Sequence, residues 1–459
     1  MSKPVSIDAE VVRRYDRSGP RYTSYPPATE FHPGFTEARY RAHAAASNRG
    51  QAPRPLSLYV HIPFCATVCY YCACNRIVTA NRARAAPYVT ALERELELQA
   101  RLYREDRTVE QLHWGGGTPT FLDNGQMQRL MAATRRHFAL RDDDAGEYSI
   151  EIDPRSVAPE DMAVLRELGF NRVSFGVQDF DTGVQQAVNR IQSEEQTLGV
   201  MAAARESGFH SVSIDLIYGL PRQSPQSFAA TLEKVVRARP DRLSVFSYAH
   251  LPARFKTQRR IDEAELPPPA QKLEILTLTI ETLQRAGYVY IGMDHFALPG
   301  DDLARALDDG TLHRNFQGFS TRAGCDLVGL GVSAIGKLER CYVQNERTTA
   351  QYYACLDEGR LAVARGVELD DDDCLRREVI SSLICRGRVE KQAIAGDFDA
   401  RFADARGALE RMRRDGLIRE DDSAIEVLPA GRVLIRNVCM AFDVYIGRGQ
   451  SAQRFSRAI

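Results

Sequence analysis

His61-Ile62-Pro63-Phe64-Cys65-Ala66-Thr67-Val68-Cys69-Tyr70-Tyr71-Cys72-Ala73-Cys74 carries four of the ten cysteines of this 459-residue chain. The first three thiols follow the spacing CxxxCxxC. Thiolates bind soft metals, and three on one short loop can hold three irons of a cubane cluster while the fourth iron stays open to a cofactor or substrate. A structural zinc site takes two pairs of ligands separated by a longer stretch, and no matching Cys or His pair follows at the usual spacing. A ferredoxin-like carrier needs four committed ligands and no large catalytic domain. The other six cysteines are scattered from Cys325 to Cys439, so the dense group reads as metal binding in a reducing compartment and not as a disulfide framework.

Immediately before the loop lies an apolar, β-rich run, Leu56 to His61, and from there such runs alternate with longer amphipathic stretches. The runs are Leu56 to His61, Val109 to Trp114, Tyr148 to Ile152, Arg172 to Gly176, Ser211 to Leu216 and Arg242 to Tyr248. Helical patterns lie between them at Ala86 to Tyr103, Gly125 to Phe138, Glu160 to Leu168, Glu194 to Ser207 and Ser224 to Arg237, and Gln271 to Ala286 follows the sixth strand. Repeated βα units of this kind build a parallel sheet, here read as an α/β fold with a partial (β/α)6 TIM-like barrel. Tyr288 to Met293 and Asp326 to Leu330 read as strands beside the barrel. Active sites of parallel barrels sit at the carboxyl ends of strands, which is where the thiol loop falls.

Residues 1–54 contain Pro20, Pro26, Pro27 and Pro33 and read as an extended arm with a short helix near its start. Residues 55–365 form the barrel and its extension. Residues 366–459 form a smaller, mostly helical domain, with helices at Cys374 to Cys385, Phe402 to Asp415 and Ala430 to Ile446. Leu417 to Glu420 and Ile425 to Leu428 fit a small hairpin, which makes this unit winged-helix-like without a dense basic recognition helix. The acidic run Asp370 to Asp373 reads as a helix start favoured by the macrodipole.

Hydrophobic residues make up 44% and charged residues 26%, the balance of an ordinary globular protein. A formal net charge of -1 gives no overall footprint for nucleic acid or anionic membrane. Met1 to Tyr15 lack the apolar core of a signal peptide, and no apolar run reaches spanning length, so a cytoplasmic protein without a membrane span is expected. No long heptad seam demands an oligomer, and a monomer is the expectation.

The CxxxCxxC loop after the first strand resembles the radical-SAM superfamily. Further segments bring the resemblance closer, to the family of oxygen-independent coproporphyrinogen III oxidases (dehydrogenases), over nearly the whole chain. They are Pro20-Arg21-Tyr22-Thr23-Ser24-Tyr25-Pro26, the CxxxCxxCxC loop, Gly115-Gly116-Gly117-Thr118-Pro119, Asp215-Leu216-Ile217-Tyr218-Gly219-Leu220-Pro221 and His313-Arg314-Asn315-Phe316-Gln317-Gly318. The resemblance implies one [4Fe-4S] cluster on Cys65, Cys69 and Cys72, and S-adenosylmethionine (SAM), as two molecules, one on the cluster and one beside it. It places SAM contacts at Tyr59, Tyr71, Gly116, Gly117, Thr118, Glu151, Gln178, Arg190, Asp215, Ala249 and Ile335.

The residues themselves fit these roles unevenly. Gly115 to Gly117 follow the second strand, where missing side chains let backbone approach a ligand; a plain tight turn is the simpler alternative. Glu151 and Asp215 end strands and face the barrel mouth, where they would suit ribose hydroxyls, although each taken alone reads as a solvated acid. Without the resemblance, Ala249 and Ile335 read as core. Tyr71 stands where the family has phenylalanine. Cys74 matches the family's extra cysteine, which is not expected to bind the cluster, though spacing alone does not forbid a swap with Cys72.

The implied reaction converts two propionates of coproporphyrinogen III to vinyl groups. It needs an electron donor such as a flavodoxin or ferredoxin, and an acceptor that the sequence does not identify. Four propionates call for cationic partners, and Arg21, Arg314 and Arg322 are candidate anchors, each equally readable as a surface arginine. The alternative is a haem-binding chaperone of the same family; those relatives typically lack the PRYTSYP arm and the fourth loop cysteine, both present here. A related radical-SAM methyltransferase or haem-opening enzyme is a third reading.

Overall fold

The computed structural model describes residues 8–446 and Phe455. Residues 1–7, the start of the polar amino-terminal segment, lie outside that set.

One 13-stranded sheet carries the molecule. Its strands are β1 (Leu56–Ile62), β2 (Thr108–Gly116), β3 (Glu147–Ile152), β4 (Arg172–Gln178), β5 (Ser211–Tyr218), β6 (Arg242–Ser247), β7 (Val289–Gly292), β8 (His295–Ala297), β9 (Asp326–Leu330), β10 (Ile335–Leu338), β11 (Cys341–Asn345) and β12 (Val363–Glu368). The two-residue strand Ala139–Leu140 adds beside β2. Strands β1 to β6 pair in chain order and all in parallel. Helices Ala85–Ala100, Asn124–His137, Asp161–Glu167, Glu194–Glu206 and Pro225–Ala238 make the crossovers, as the alternation predicts. Asp123 and Ser224 each close a capping box at the start of their helix, which fixes where the loop after the strand ends.

The flanking strands differ from the expectation in one respect. Asp326–Leu330 does not stand apart from the barrel: β9 pairs in parallel with β1 on the side away from β2. The β7–β8 hairpin closes the other flank, with β8 antiparallel to β6. A short run of five residues carries no mark of which strand it will join. What fixes β9 is a buried ion pair: Arg107, just before β2, donates to Asp326 at 2.6 Å, and both side chains are at most 2% exposed. Arg107 also donates to the Arg54 carbonyl (2.8 Å), Ser47 (3.0 Å) and Asn48 (3.1 Å), which compensates its burial and draws the end of the arm onto the barrel.

The arm is less extended than its prolines suggest. It holds the expected helix Ala9–Tyr15 and also an unexpected one, Glu37–Ser47, whose alanine-rich sequence has almost no amphipathic pattern. Only Tyr40 and Ala44 of that helix are buried, and the Tyr40 hydroxyl meets Tyr103 (2.7 Å) and Gln99 (3.0 Å).

Two apolar clusters result. One fills the space between the barrel strands and their helices, around Trp114, Phe175 and Leu232. The second joins Tyr22 and Tyr25 of the arm to the β7–β8 hairpin and to the carboxyl-terminal helices. These helices are Asp371–Arg386, Arg406–Arg414, Pro429–Val433 and Ile435–Met440, and they pack on a small antiparallel sheet of Arg388–Glu390, Ala424–Val427 and Ile418–Glu420. Asp370 caps the first of them by accepting from the Asp373 backbone, the role expected of the acidic run. Tyr22 donates to Asp443 (3.0 Å), and Arg436 donates to the Pro20 carbonyl (3.1 Å), so the PRYTSYP segment is held by the opposite end of the chain.

Candidate active site

The thiol loop is pinned on every side. Phe64–Cys65 pairs in parallel with Ile77–Val78, which closes the loop at its base. Asn189 donates to the Val68 carbonyl (2.7 Å), the Tyr70 amide to Val188 (2.9 Å), Gln258 to the Tyr71 carbonyl (2.9 Å) and Arg76 to the Cys72 carbonyl (2.9 Å). The carboxyl end of β2 lies against it, with the Gly117 amide on the Ile62 carbonyl and the Thr118 amide on Phe64, both at 2.8 Å. Gly116 and Gly117 are required by this approach, and Gly115 leaves room for Glu151. A Cβ on Gly115 would meet Glu151 at 2.7 Å, one on Gly116 the His61 ring at 2.5 Å, and one on Gly117 the Pro63 and Phe64 backbone at 2.8 Å. Gly116 also has φ +111°, open to glycine and costly for other residues.

A cavity of about 690 Å³ opens here and runs down the barrel lumen. Cys65, Cys69, Cys72, Cys74, Tyr71, Gly116, Gly117 and Thr118 line its upper end; Glu151, Gln178, Arg190 and Asp215 line its sides. Tyr59 and Ile335 line a smaller adjoining cavity of about 280 Å³ that shares Cys74, Gly116 and Glu151. Ala249 lines neither of these; its carbonyl accepts from the same Gln258 that holds Tyr71 (3.2 Å).

Three donors are aimed at sulfur. Thr118 faces Cys65 (3.6 Å), while Arg155 (3.6 Å) and Arg190 (3.5 Å) face Cys69. Burial opposes the Arg190 charge, but Tyr71, Asp153 and Cys69 around it raise its pKa. Burial pushes the Cys65 thiol up to about 11. Cys72 is pulled down to about 6, chiefly by the hydrogen bond from the Cys74 thiol, which itself stays protonated.

Of the two carboxylates, Glu151 accepts from the Gly116 amide (3.1 Å) and meets His113 Nε2 (3.0 Å). Burial raises its pKa, and these partners outweigh burial and leave it below the usual value. Asp215 is raised to about 6 by burial and by the nearby Glu151 charge, with Ser174 donating at 3.2 Å. Gln178 sits at a bulge in β4 with φ +70°, a strained backbone at the edge of the cavity.

Several lining residues escape motif reading. His113, Ser149, Arg172, Ser174, Ser213, Arg242 and Ser244 all face the lumen. Their signal is present in the sequence as alternation: Gln111 and His113 on β2, Glu147, Ser149 and Glu151 on β3, and Ser211, Ser213 and Asp215 on β5 all stand two apart. Tyr59 stacks on His113 with ring centroids 5.8 Å apart, which ties β1 to β2 across this face.

Residues 59–235 match the model of the radical SAM superfamily and residues 369–434 that of the HemN C-terminal domain. The oxygen-independent coproporphyrinogen III oxidase of Pseudomonas aeruginosa is 54% identical over 100% of both chains, and that of Escherichia coli 50% identical over 99% of both. The chain belongs to the oxygen-independent coproporphyrinogen III oxidase family. The solved coproporphyrinogen III oxidase (HemN) of Escherichia coli, described as a radical SAM enzyme, superimposes with a TM-score of 0.91 at 48% identity, covering 96% of this chain and 100% of that one.

As a member of this oxidase family the chain would hold an iron-sulfur cluster, and its donor set fits one. Three thiols line one end of a single cavity, and hydroxyl and guanidinium donors aim at their sulfurs, where thiolate charge needs them. The candidate substrate arginines of this oxidase fold are dispersed. Arg21 pairs with Asp294 (2.9 Å) and lies over the Phe246 ring, 5.9 Å from its centroid, beside the thiol cavity that Phe246 lines. Arg322 pairs with Glu110 (3.2 Å) near the start of β2, and Arg314 lies over Phe319 at 4.9 Å. Both line a different cavity, bounded by Arg54 and Pro55 at the amino-terminal end of β1. Of the HRNFQG motif, Asn315 and Gln317 line the lumen, and Phe316 lines the smaller cavity that shares Cys74.

Proposed function

We propose that this chain catalyses the SAM-dependent oxidative decarboxylation of two propionate side chains of coproporphyrinogen III, giving protoporphyrinogen IX. The observation that carries this reading is the placement of Cys65, Cys69 and Cys72 at the carboxyl end of a parallel barrel, at the mouth of a lumen that Glu151, Arg190 and Asp215 also line. The cluster, when bound, supplies the electron that cleaves SAM to methionine and a 5′-deoxyadenosyl radical.

The chain's own residues position the reactants. Backbone groups of Gly116 and Gly117 meet the polar end of SAM, Glu151 and Asp215 hold ribose hydroxyls, and Tyr71 offers an aromatic face to adenine. Arg190 binds a carboxylate or stabilises the cluster sulfur. At neutral pH both acids are mainly ionised and accept hydrogen bonds, Glu151 where the two cavities meet and Asp215 in the larger one alone. Two SAM molecules fit this division, one against Gly116, Gly117 and Arg190 and one against the Tyr59 and Ile335 side. Abstraction of a hydrogen from a propionate β-carbon, with loss of carbon dioxide and one electron, then leaves a vinyl group. We place the protein in the cytoplasm as a monomer, served by a flavodoxin or ferredoxin. Among the described residues no helix is long and apolar enough to cross a membrane.

Anaerobic incubation with SAM, reductant and coproporphyrinogen III tests the proposal. Vinyl product with equivalent 5′-deoxyadenosine is expected. Stable haem binding without turnover would overturn it in favour of a chaperone, and a methylated or ring-opened product would indicate another reaction.

A further inference from the structure

The cavity that takes Arg314 measures about 890 Å³ and lies between the entry to β1, the 313–320 hairpin and helix Asp371–Arg386. Glu110 at this end and Gly116 beside the thiols are six residues apart on β2, about 20 Å of strand, so the chemistry at the thiols does not reach it. The hairpin lies between the two: Asn315, Gln317 and Phe319 line the lumen, and Arg314, whose guanidinium lies over the Phe319 ring, lines the second cavity.

This second cavity holds more buried cation than its acids compensate. Arg314 is 9% exposed, and its Nε and Nη1 have no hydrogen-bond partner. Arg377 Nη1 and Arg322 Nε are likewise buried without a partner. The polar neighbour of the Lys337 ammonium is His313 Nε2, at 3.5 Å, and among the described residues Lys337 makes no ion pair. Burial and neighbouring cations pull Lys337 down to about 8, and burial pulls Arg314 down to about 10. Three acids line the cavity: Glu110 is engaged by Arg141 and Arg322, Glu339 by Arg54, and Glu378 is exposed; a fourth, Asp294, attracts Arg314 from outside the lining and is paired with Arg21. Unpaired guanidinium nitrogens in a dry site are costly unless an anion completes them. The remaining wall is mixed: Tyr22, Tyr25, Tyr342, Leu312, Ile380 and Ile384 give it aromatic and apolar surface among the hydroxyls of Thr23, Ser24, Ser381 and Ser382. Inorganic anions gain nothing from the aromatic and apolar surface, whereas a flat apolar body carrying several carboxylates matches both features.

We propose that this cavity is a second binding site for a polycarboxylated, tetrapyrrole-sized organic anion, with its carboxylates on Arg314, Lys337 and Arg377. The choice of a tetrapyrrole as that anion rests on the proposed function; the cationic cavity does not. Held there, the macrocycle is in a waiting or departing position, with the hairpin between it and the reacting centre.

The test is anaerobic equilibrium dialysis of the cluster- and SAM-loaded protein with coproporphyrin III, the oxidised macrocycle that keeps all four carboxylates. One bound equivalent is expected to weaken at least tenfold in Lys337→Met and in Arg377→Gln, and to return in Lys337→Arg. Hydrogen exchange in residues 371–386 of the unsubstituted protein is expected to slow when the macrocycle is added, a readout that needs no variant to fold. Binding unchanged in both variants, or no slowing of exchange, overturns the site. Displacement of that equivalent by equimolar pyrophosphate overturns the polycarboxylate assignment in favour of a simple anion site. Product formation without a Lys337-dependent equivalent sinks this inference alone, whereas Lys337-dependent binding without product sinks the proposed reaction and leaves the site standing.

Discussion

Arg190 donates through Nη1 to the Cys69 sulfur at 3.5 Å and pairs through the same nitrogen with the Asp153 carboxylate at 3.1 Å, so one buried cation links a thiol of the loop to the end of the third barrel strand. Hydrogen bonds to sulfur and local charge both raise the potential of an iron-sulfur centre. Arg190→Gln is therefore expected to assemble a cluster of lower reduction potential, measured by redox titration with magnetic-resonance detection. Loss of one charged hydrogen bond should also weaken SAM binding by about 10- to 100-fold. An unchanged potential would show that the arginine only packs against the loop.

The four thiols should separate into two classes. Alanine at Cys65, Cys69 or Cys72 is expected to abolish the visible absorbance of the reconstituted cluster and its retained iron. Cys74→Ala is expected to keep both, because the family resemblance puts the cluster on the CxxxCxxC thiols and leaves Cys74 off it. Iron and sulfide content per chain after anaerobic reconstitution decides between the thiols, and loss of iron from the Cys74 variant would assign it as a ligand.

Gly116→Ala should fail for a steric reason that can be separated from chemistry. Its φ of +111° costs a non-glycine residue about 1–3 kcal/mol, and the added Cβ meets the His61 ring at 2.5 Å. His61 cannot retreat freely, since it is held by Tyr59 (3.0 Å) and the Asn75 carbonyl (2.9 Å). A fall in thermal midpoint is expected together with lost adenosyl release. Partial recovery of the midpoint in Gly116→Ala combined with His61→Ala, the backbone strain remaining, without recovery of SAM cleavage, would separate the fold effect from the site effect.

A buried carboxyl makes stability pH-dependent. Glu95 accepts from Gly331, Asn345 and Tyr352, each at 2.6 Å, yet burial raises it to about 7. Between its ordinary value and about 7 the native protein keeps this proton while the unfolded chain releases it. The contribution of Glu95 is thus full at low pH and declines as pH rises through about 7, by a few kcal/mol at most. Urea midpoints of the native sequence and Glu95→Gln should draw together from pH 5 to pH 8. A constant difference would refute the assignment.

The legible part of the site is the part built from neighbours in sequence. The thiol loop, Gly116, Gly117 and the acids Glu151 and Asp215 all line one cavity; Glu151 stands one residue from the end of β3, whereas β5 runs on to Tyr218, three residues beyond the expected end at Asp215. His113, Arg172 and Arg242 were equally present in the alternation, but a polar residue at every second position is also the mark of a solvent-facing strand. Only the curling of the sheet into a partial barrel turns that face inward.

The sequence by itself determined the βα order, the cluster-type thiol spacing and the family, because strand alternation, helix periodicity and ligand spacing are local properties. Tertiary structure alone decided that β9 lies beside β1, that the PRYTSYP arm is held by Asp443 and Arg436, and that Arg314 and Arg322 stand at the end of the barrel away from the thiols. Those outcomes depend on pairings between residues hundreds of positions apart, such as Arg107 with Asp326. Charge and polarity say that such a residue needs a partner, but which partner is fixed only when the chain closes on itself.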